Sequence, residues 1–360
     1  MHYALFFKMR KIENLLVMSF TNYMIFNILK SSLGVFRMSI KYSLLGNNFQ
    51  DQSLYVMLDT GQEHISFLFD CGANVLNNIE IATIQDIDHL CFSHYHIDHI
   101  AGFDSFFRHN YNREKDMIVW GPQDTLRVLS HRMQGFTWNL IQDSPGNWKV
   151  NEVDNDMIHC QTFLTKEKFA YSHETSQTPF HNILWENEYC ILKAIILDHH
   201  VPCLGYLLQE KPKKNISQQL LQKLNLKPGR WLQQVKDFNI PGDTIIQYEN
   251  NSYTLQEIRD KILTTTEGES IAYLTDFIMN DKTKEELSQF LPKHCILCCE
   301  SQYLEEDREL ALKNHHLIMP QAIELAQSIE AKKTILFHFS NRYTSNIVKD
   351  AMNNLLPGNF

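Results

Sequence analysis

Ser93-His94-Tyr95-His96-Ile97-Asp98-His99 packs three imidazoles and one carboxylate into six consecutive positions, 94 to 99. It follows the apolar run Leu90-Cys91-Phe92, which reads as the end of a buried strand. A strand that stops in such a cluster delivers several ligands to one point. Neutral imidazole and carboxylate oxygen are what a divalent transition metal binds. His94 and His96 can serve one ion, and Asp98 and His99, displaced along the turn, a second. A run of exposed polar loop residues would look similar in composition, but it has no packing reason to gather these residue types so densely.

Working outward, the chain alternates short apolar runs with helical patterns. Ser39 to Leu45, Ser53 to Leu58, Ile65 to Phe69, Met117 to Trp120 and Ile191 to Leu197 read as strands, as do Ile271 to Leu274, Cys295 to Cys299 and Thr334 to Phe337. Helical patterns run from Phe103 to His109, Thr125 to Met133, Asp281 to Leu291, Gln321 to Ala331 and Ser345 to Asn353. Residues 150 to 190 read as an insertion with mixed signals. Interleaved strands and helices point to an α/β sandwich with ligands at the strand ends.

A two-metal site needs about six or seven ligands, so further His and Asp residues are sought at strand ends. Asp198-His199-His200 follows one strand, Asp276 ends Ala272-Tyr273-Leu274-Thr275-Asp276, and His338 ends Leu336-Phe337-His338. Each alone reads more readily as a satisfied polar residue. Four such features in order make a joint site the better reading.

His-x-His-x-Asp-His after a short strand resembles the signature of the metallo-β-lactamase fold. His199-His200-Val201-Pro202-Cys203-Leu204-Gly205-Tyr206 and His338-Phe339-Ser340-Asn341-Arg342-Tyr343 are similar to motifs of the ribonuclease Z family, which matures tRNA 3′ ends. Glu300 resembles that family's acidic position after the penultimate strand. His316 falls where the family carries a catalytic histidine. The match runs from about Met38 to the C-terminus, and its length suits the short, homodimeric form. The pattern departs at Ala73-Asn74, at Phe277, and at His315-His316-Leu317-Ile318, where the family tends to have Gly-His-Ser-Ser.

The resemblance implies a four-layer αββα sandwich over residues 38 to 360. It implies two Zn²⁺ ions per subunit, although Mn²⁺ and Fe accept the same ligands. One ion is expected on His94, His96 and His199, the other on Asp98, His99 and His338, with Asp276 between them. Asp98 would orient the attacking water and take its proton. His316, supported by Glu300, would protonate the leaving 3′ oxygen, and Ser340 and Arg342 would hold a neighbouring phosphate. The substrate implied is precursor tRNA, cut by an endoribonuclease.

One feature favours RNA without the family. Residues 211 to 236 hold seven basic residues (Lys211, Lys213, Lys214, Lys223, Lys227, Arg230 and Lys236) and no acid, on a chain of 360 residues with net charge −9. The segment 207–245 is therefore read as a basic protruding arm, with Lys211, Lys213, Lys214, Lys227 and Arg230 as phosphate contacts. A solvated helical face would look alike. Two other readings stay open: a hydrolase of the same fold acting on a small phosphodiester or ester, and a non-catalytic RNA-binding protein with structural metals. Open ligand positions argue against the last.

Composition is ordinary for a globular protein, at 44% hydrophobic and 21% charged. The eight scattered cysteines read as buried thiols in a reducing, cytoplasmic setting. Residues 1–37 read as an extension outside the core; their basic, acid-poor composition also fits an organellar targeting segment. Leu15 to Leu29 is too short and polar to span a bilayer, so no membrane partner is expected.

Overall fold

The computed structural model describes residues 39–60, 63–141, 144–248 and 251–355. The expected extension 1–37 lies outside the described residues. Contacts divide the chain into two compact units, one built mainly from residues up to 187, 191–208 and 270 onward, the other from 188–190 and 209–269.

The first unit holds two sheets. The larger runs in chain order through β1 (Ser39–Leu45), β2 (Ser53–Asp59), β3 (His64–Phe69), β4 (His89–Cys91), β5 (Met117–Pro122), β6 (Asn147–Asp154), β7 (Met157–Leu164) and β8 (Ser172–Pro179). β3 to β6 pair in parallel, and the flanking pairs are antiparallel. The second sheet has the order β18-β17-β16-β11-β10-β9: β9 is Ile183–Glu186, β10 Cys190–Asp198, β11 Pro202–Glu210, β16 Ser270–Leu274, β17 Ile296–Glu300 and β18 Lys333–Phe337. β16, β17 and β18 are parallel.

Near-continuous apolar strands such as Leu54 to Leu58 and Ile271 to Leu274 are what a sheet covered on both faces requires. On its outer face the larger sheet packs Leu68, Leu90, Val119 and Trp148 against Phe103, Phe106 and Phe107 of the helix Phe103–Asn110 and Leu129 of Thr125–Gln134. The second sheet buries Leu274, Leu297 and Leu336 against Leu287, Ala322 and Val348 of three further helices. The inner faces meet through aromatic rings: Phe69 lies 5.3 Å from Tyr206 and 5.8 Å from Tyr273, centroid to centroid. Tyr206 Oη donates across the layers to the Phe92 carbonyl at 2.6 Å. The architecture is the four-layer αββα sandwich.

Residues 150 to 190 are not an insertion. They form β6, β7, β8 and β9, which complete one sheet and edge the other. Their signal was weak because β8, Ser-His-Glu-Thr-Ser-Gln-Thr-Pro, is exposed along its whole length. A polar, bulged edge strand ending in Pro lacks the apolar alternation by which strands are recognised.

His89 is buried between the sheets. Its ring lies 4.7 Å from Phe67 and 4.6 Å from Trp185, and Trp120 Nε1 donates to its Nδ1 at 3.2 Å. Burial drives its pKa down to about 3, despite the pull of Asp88. The folded state thus refuses a proton that the unfolded chain accepts below about pH 6.5. Stability from this group is complete above pH 6.5 and falls by about 1.4 kcal/mol per pH unit below it. His89→Phe should therefore lose about 2 kcal/mol less than wild type between pH 7 and pH 5 in denaturant titrations. Parallel losses in the two proteins would disprove this account.

The second unit has its own core of Leu221, Leu226, Val235, Ile246, Leu255, Ile258 and Ile262. A long-range antiparallel pair, β12 (Lys213–Ile216) with β15 (Leu263–Thr266), and the hairpin β13 (Ile245–Tyr248) with β14 (Asn251–Thr254) accompany three helices. Arg259 is buried in it and donates to the carbonyls of Val235, Asp237 and Ile240, at 3.1, 2.6 and 3.2 Å. One guanidinium thereby satisfies the carbonyls that the helix Trp231–Lys236 and the following turn leave open. This unit differs in extent from the segment 207–245. Residues 207 and 208 belong to β11 in the first unit, and the fold continues to Glu269. The charge run marks only the basic half, because the closing capping box at Thr254 and Glu257 and the helix behind it carry mixed charge.

Candidate metal centre

All seven histidine and aspartate side chains named as ligands sit at carboxyl ends of strands of the first unit. His94 and His96 follow β4, and Asp98 and His99 open the short helix Ile97–Ile100. His199 lies in the turn from β10 to β11. Asp276 follows β16, and His338 follows β18. Potential ligand atoms of His94, His96, His199 and Asp276 lie within 4.8 Å of one another, as do those of Asp98, His99 and His338. Asp276, Glu300, His316 and His338 form a third such group. Asp276 is thus common to two groups and central to the cluster.

The imidazoles converge on its carboxylate. Asp276 Oδ2 lies 3.5 Å from His94 Nε2, 3.2 Å from His99 Nε2 and 3.7 Å from His199 Nε2; Oδ1 lies 3.2 Å from His338 Nδ1. Yet His94 Nε2, His99 Nε2 and His338 Nδ1 are buried and make no hydrogen bond. The distances suit ion pairs while the angles do not suit hydrogen bonds, and the angles decide. Ligand atoms about 2.1 Å from a shared tetrahedral ion stand about 3.4 Å apart. The donor set is therefore one that a divalent cation fits and that hydrogen bonding leaves unsatisfied.

Outer contacts fix the ring orientations. His99 Nδ1 is 2.7 Å from Asp70 Oδ2, His94 Nδ1 3.1 Å from Ser93 Oγ, and His199 Nδ1 2.8 Å from the His315 carbonyl. Each leaves Nε2 turned inward, the arrangement metal-ligating histidines adopt. Asp70 also accepts from Ser93 N at 2.7 Å and from Tyr273 Oη at 2.9 Å. Asp70 was not among the expected site residues; its place at the end of β3 is the signal that could have found it, and only the fold brings Tyr273 to it.

Burial drives His94 and His199 below the usual imidazole range, which leaves them neutral lone-pair donors. Burial opposes charge on His99 too, but Asp276 and Asp70 outweigh it and hold its pKa well up. Burial disfavours the Asp98 anion, and His338 and His99 reverse that and hold the carboxyl ionised far below its ordinary range.

His316 is buried with Nδ1 3.0 Å from Glu300 Oε2. Desolvation works against its imidazolium, but Glu300 wins and lifts the pKa to about 9. Glu300 Oε1 accepts from Phe277 N at 2.8 Å, which ties the turn after Asp276 to His316. Phe277 is fully buried in the second sheet's core.

Several site residues hold left-handed backbone angles: Asp70 (φ 58°), His200 (59°), Asp276 (51°), His315 (54°) and His338 (60°). None is glycine, and each conformation costs about 1–2 kcal/mol. Such strain persists where surrounding contacts over-determine it, and it gathers at functional sites.

Arg342 and Ser340 follow β18, but Arg342 is already engaged. Its Nη1 lies 2.8 Å from Asp307 Oδ1 and its guanidinium 5.7 Å from the Tyr303 ring centre. Lys211, Lys213, Lys214, Lys227 and Arg230 belong to the second unit. Lys213 and Lys214 lie on β12, Lys214 Nζ is 5.3 Å from the Phe238 ring centre, and Arg230 caps the helix Trp231–Lys236. Among the described residues, no helix is long and apolar enough to cross a membrane.

Comparison with known proteins agrees with the fold. A sequence model described as the β-lactamase superfamily domain matches residues 66–213. The metallo-β-lactamase fold protein YhfI from Bacillus subtilis superposes with a TM-score of 0.50 at 12% identity, covering 89% of this chain and 95% of that one. These matches define a protein of the metallo-β-lactamase fold. The chain is 35% identical over 302 residues to ribonuclease Z of Deinococcus radiodurans, covering 84% of this chain and 90% of the relative. It is 26% identical over 288 residues to ribonuclease Z of Bacillus subtilis, covering 77% and 78%. The chain belongs to the ribonuclease Z family of endoribonucleases.

Proposed function

We propose that this protein removes 3′ trailers from precursor tRNA, using two Zn²⁺ ions held by His94, His96, His199, Asp98, His99, His338 and the shared Asp276. The convergence of buried, hydrogen-bond-free imidazole nitrogens on one carboxylate carries this reading. Bound metal would supply an ionised water at neutral pH and offset charge developing on the phosphoryl oxygens. The remaining work falls to the chain. Asp98, held ionised by His338 and His99, orients the nucleophile as a hydrogen-bond acceptor. His316 keeps a proton near neutral pH because Glu300 stabilises its imidazolium, and the Glu300 contact on Nδ1 leaves Nε2 to protonate the leaving 3′ oxygen. A neighbouring phosphate reaches Arg342 by displacing one oxygen of Asp307, whose other oxygen accepts from Tyr343 Oη.

The second unit acts as the RNA grip. Its basic residues bind phosphates without reading sequence. A homodimer in a cytoplasmic setting completes the proposal, on family resemblance. The test is cleavage of a 3′-extended precursor tRNA by the purified protein, with bis-p-nitrophenyl phosphate in parallel. Cutting just after the discriminator nucleotide is the expected result. Hydrolysis of the small diester alone would leave the metal site standing and remove tRNA as the substrate.

A further inference from the structure

His199 is gripped from outside the ligand cluster by side chains that the proposed reaction does not use. Its Nδ1 meets the His315 carbonyl at 2.8 Å. His315 ends the helix Arg308–Asn314 at φ 54°, a conformation that favours glycine. Its imidazole is nonetheless held on two sides. Nδ1 lies 3.2 Å from Asp198 Oδ1, and the ring stacks on His200 with centroids 3.6 Å apart and planes at 27°. His200 is also left-handed, at φ 59°. Its backbone N donates to the same Asp198 oxygen at 3.1 Å, and its Nε2 lies 3.1 Å from the Lys313 carbonyl. These contacts fasten the turn between β10 and β11 to the loop that carries both His315 and His316.

We infer that Asp198, His200 and His315 form a clamp that positions His199 as a metal ligand and sets the affinity of the His94–His96–His199–Asp276 group for a divalent cation. The inference rests on the metal reading proposed above. The clamp acts through the His315 carbonyl, whose direction depends on the backbone angle that the Asp198 and His200 contacts maintain. Removing an outer partner of a metal-bound histidine weakens metal affinity by about 10- to 100-fold. His199 is the ligand affected, because it alone draws its orienting bond from this loop.

His315→Gly separates the clamp from a plain structural staple. Glycine keeps the carbonyl and accepts the left-handed angle freely, so the metal-free variant should melt at or above the wild-type temperature. Its Zn²⁺ dissociation constant, measured by chelator competition, should nevertheless rise by about tenfold, and the visible spectrum of its Co²⁺ form should change. His315→Asn tolerates the same angle and offers Asp198 a donor, so it should bind within about threefold of wild type. Asp198→Ala should match the glycine variant, and the double variant should be no worse than either, since both cut one network. Wild-type Zn²⁺ affinity in both single variants would overturn the clamp. If wild type itself binds no Zn²⁺ or Co²⁺, the metal reading falls, and the clamp with it, before any variant is compared.

Discussion

Asp276→Ala should abolish metal uptake and phosphodiester hydrolysis together. Its two oxygens face four imidazoles at 3.2 to 3.7 Å, and no other carboxylate of the cluster reaches as many. Burial alone would favour its neutral acid, but His338 and His99 hold it ionised well below the ordinary carboxylate range. The alanine variant therefore loses the one anion common to two ligand groups. Outer partners of metal ligands are worth about 10- to 100-fold in affinity, so a shared ligand should cost at least about a thousandfold in both metal affinity and turnover. Metal content by mass spectrometry and hydrolysis of bis-p-nitrophenyl phosphate report the two quantities independently. Retained metal with lost turnover would confine Asp276 to orienting the nucleophile. Retained turnover would remove it from the site.

Alanine at Lys213, Lys214, Lys227 and Arg230 should separate RNA cleavage from hydrolysis of a small diester. Each released phosphate contact lowers the salt slope of log K by about 0.7–0.9, so four lost contacts should flatten it by about 3 and weaken precursor tRNA binding by about a hundredfold at low salt. These side chains lie in the second unit, whose core of Leu221, Val235, Leu255 and Ile258 they do not build. The substitutions should leave its fold intact, and turnover of the small diester unchanged. Filter binding across a salt series, beside diesterase assays, makes the comparison. Equal salt slopes in variant and wild type would assign the basic run to a solvated surface. Parallel loss on both substrates would point to a folding defect.

The sandwich was legible because its central strands are covered on both faces. Burial on two faces demands continuous apolar runs, and Ser53 to Leu58, Ile65 to Phe69 and Ile271 to Leu274 show them plainly. β8 was not legible, since an edge strand wetted on all sides needs no apolar residue. The candidate ligands stand out in the sequence for a related reason. Parallel strands end in turns at one edge of a sheet, so a His or Asp closing such a strand is already aimed at a common region. Asp70 closes β3 in the same way and could have been included by that rule.

Local sequence thus determined which residues end strands, and hence the metal-ligand candidates and the basic run. Pairings between distant segments were decided only by the tertiary structure. Asp307 meets Arg342, Tyr273 meets Asp70, and the His315 carbonyl meets His199 across 116 positions of chain. Such contacts follow from which strand lies beside which and in what register. Long-range order of that kind is set by burial summed over the whole sandwich, so no local pattern encodes it.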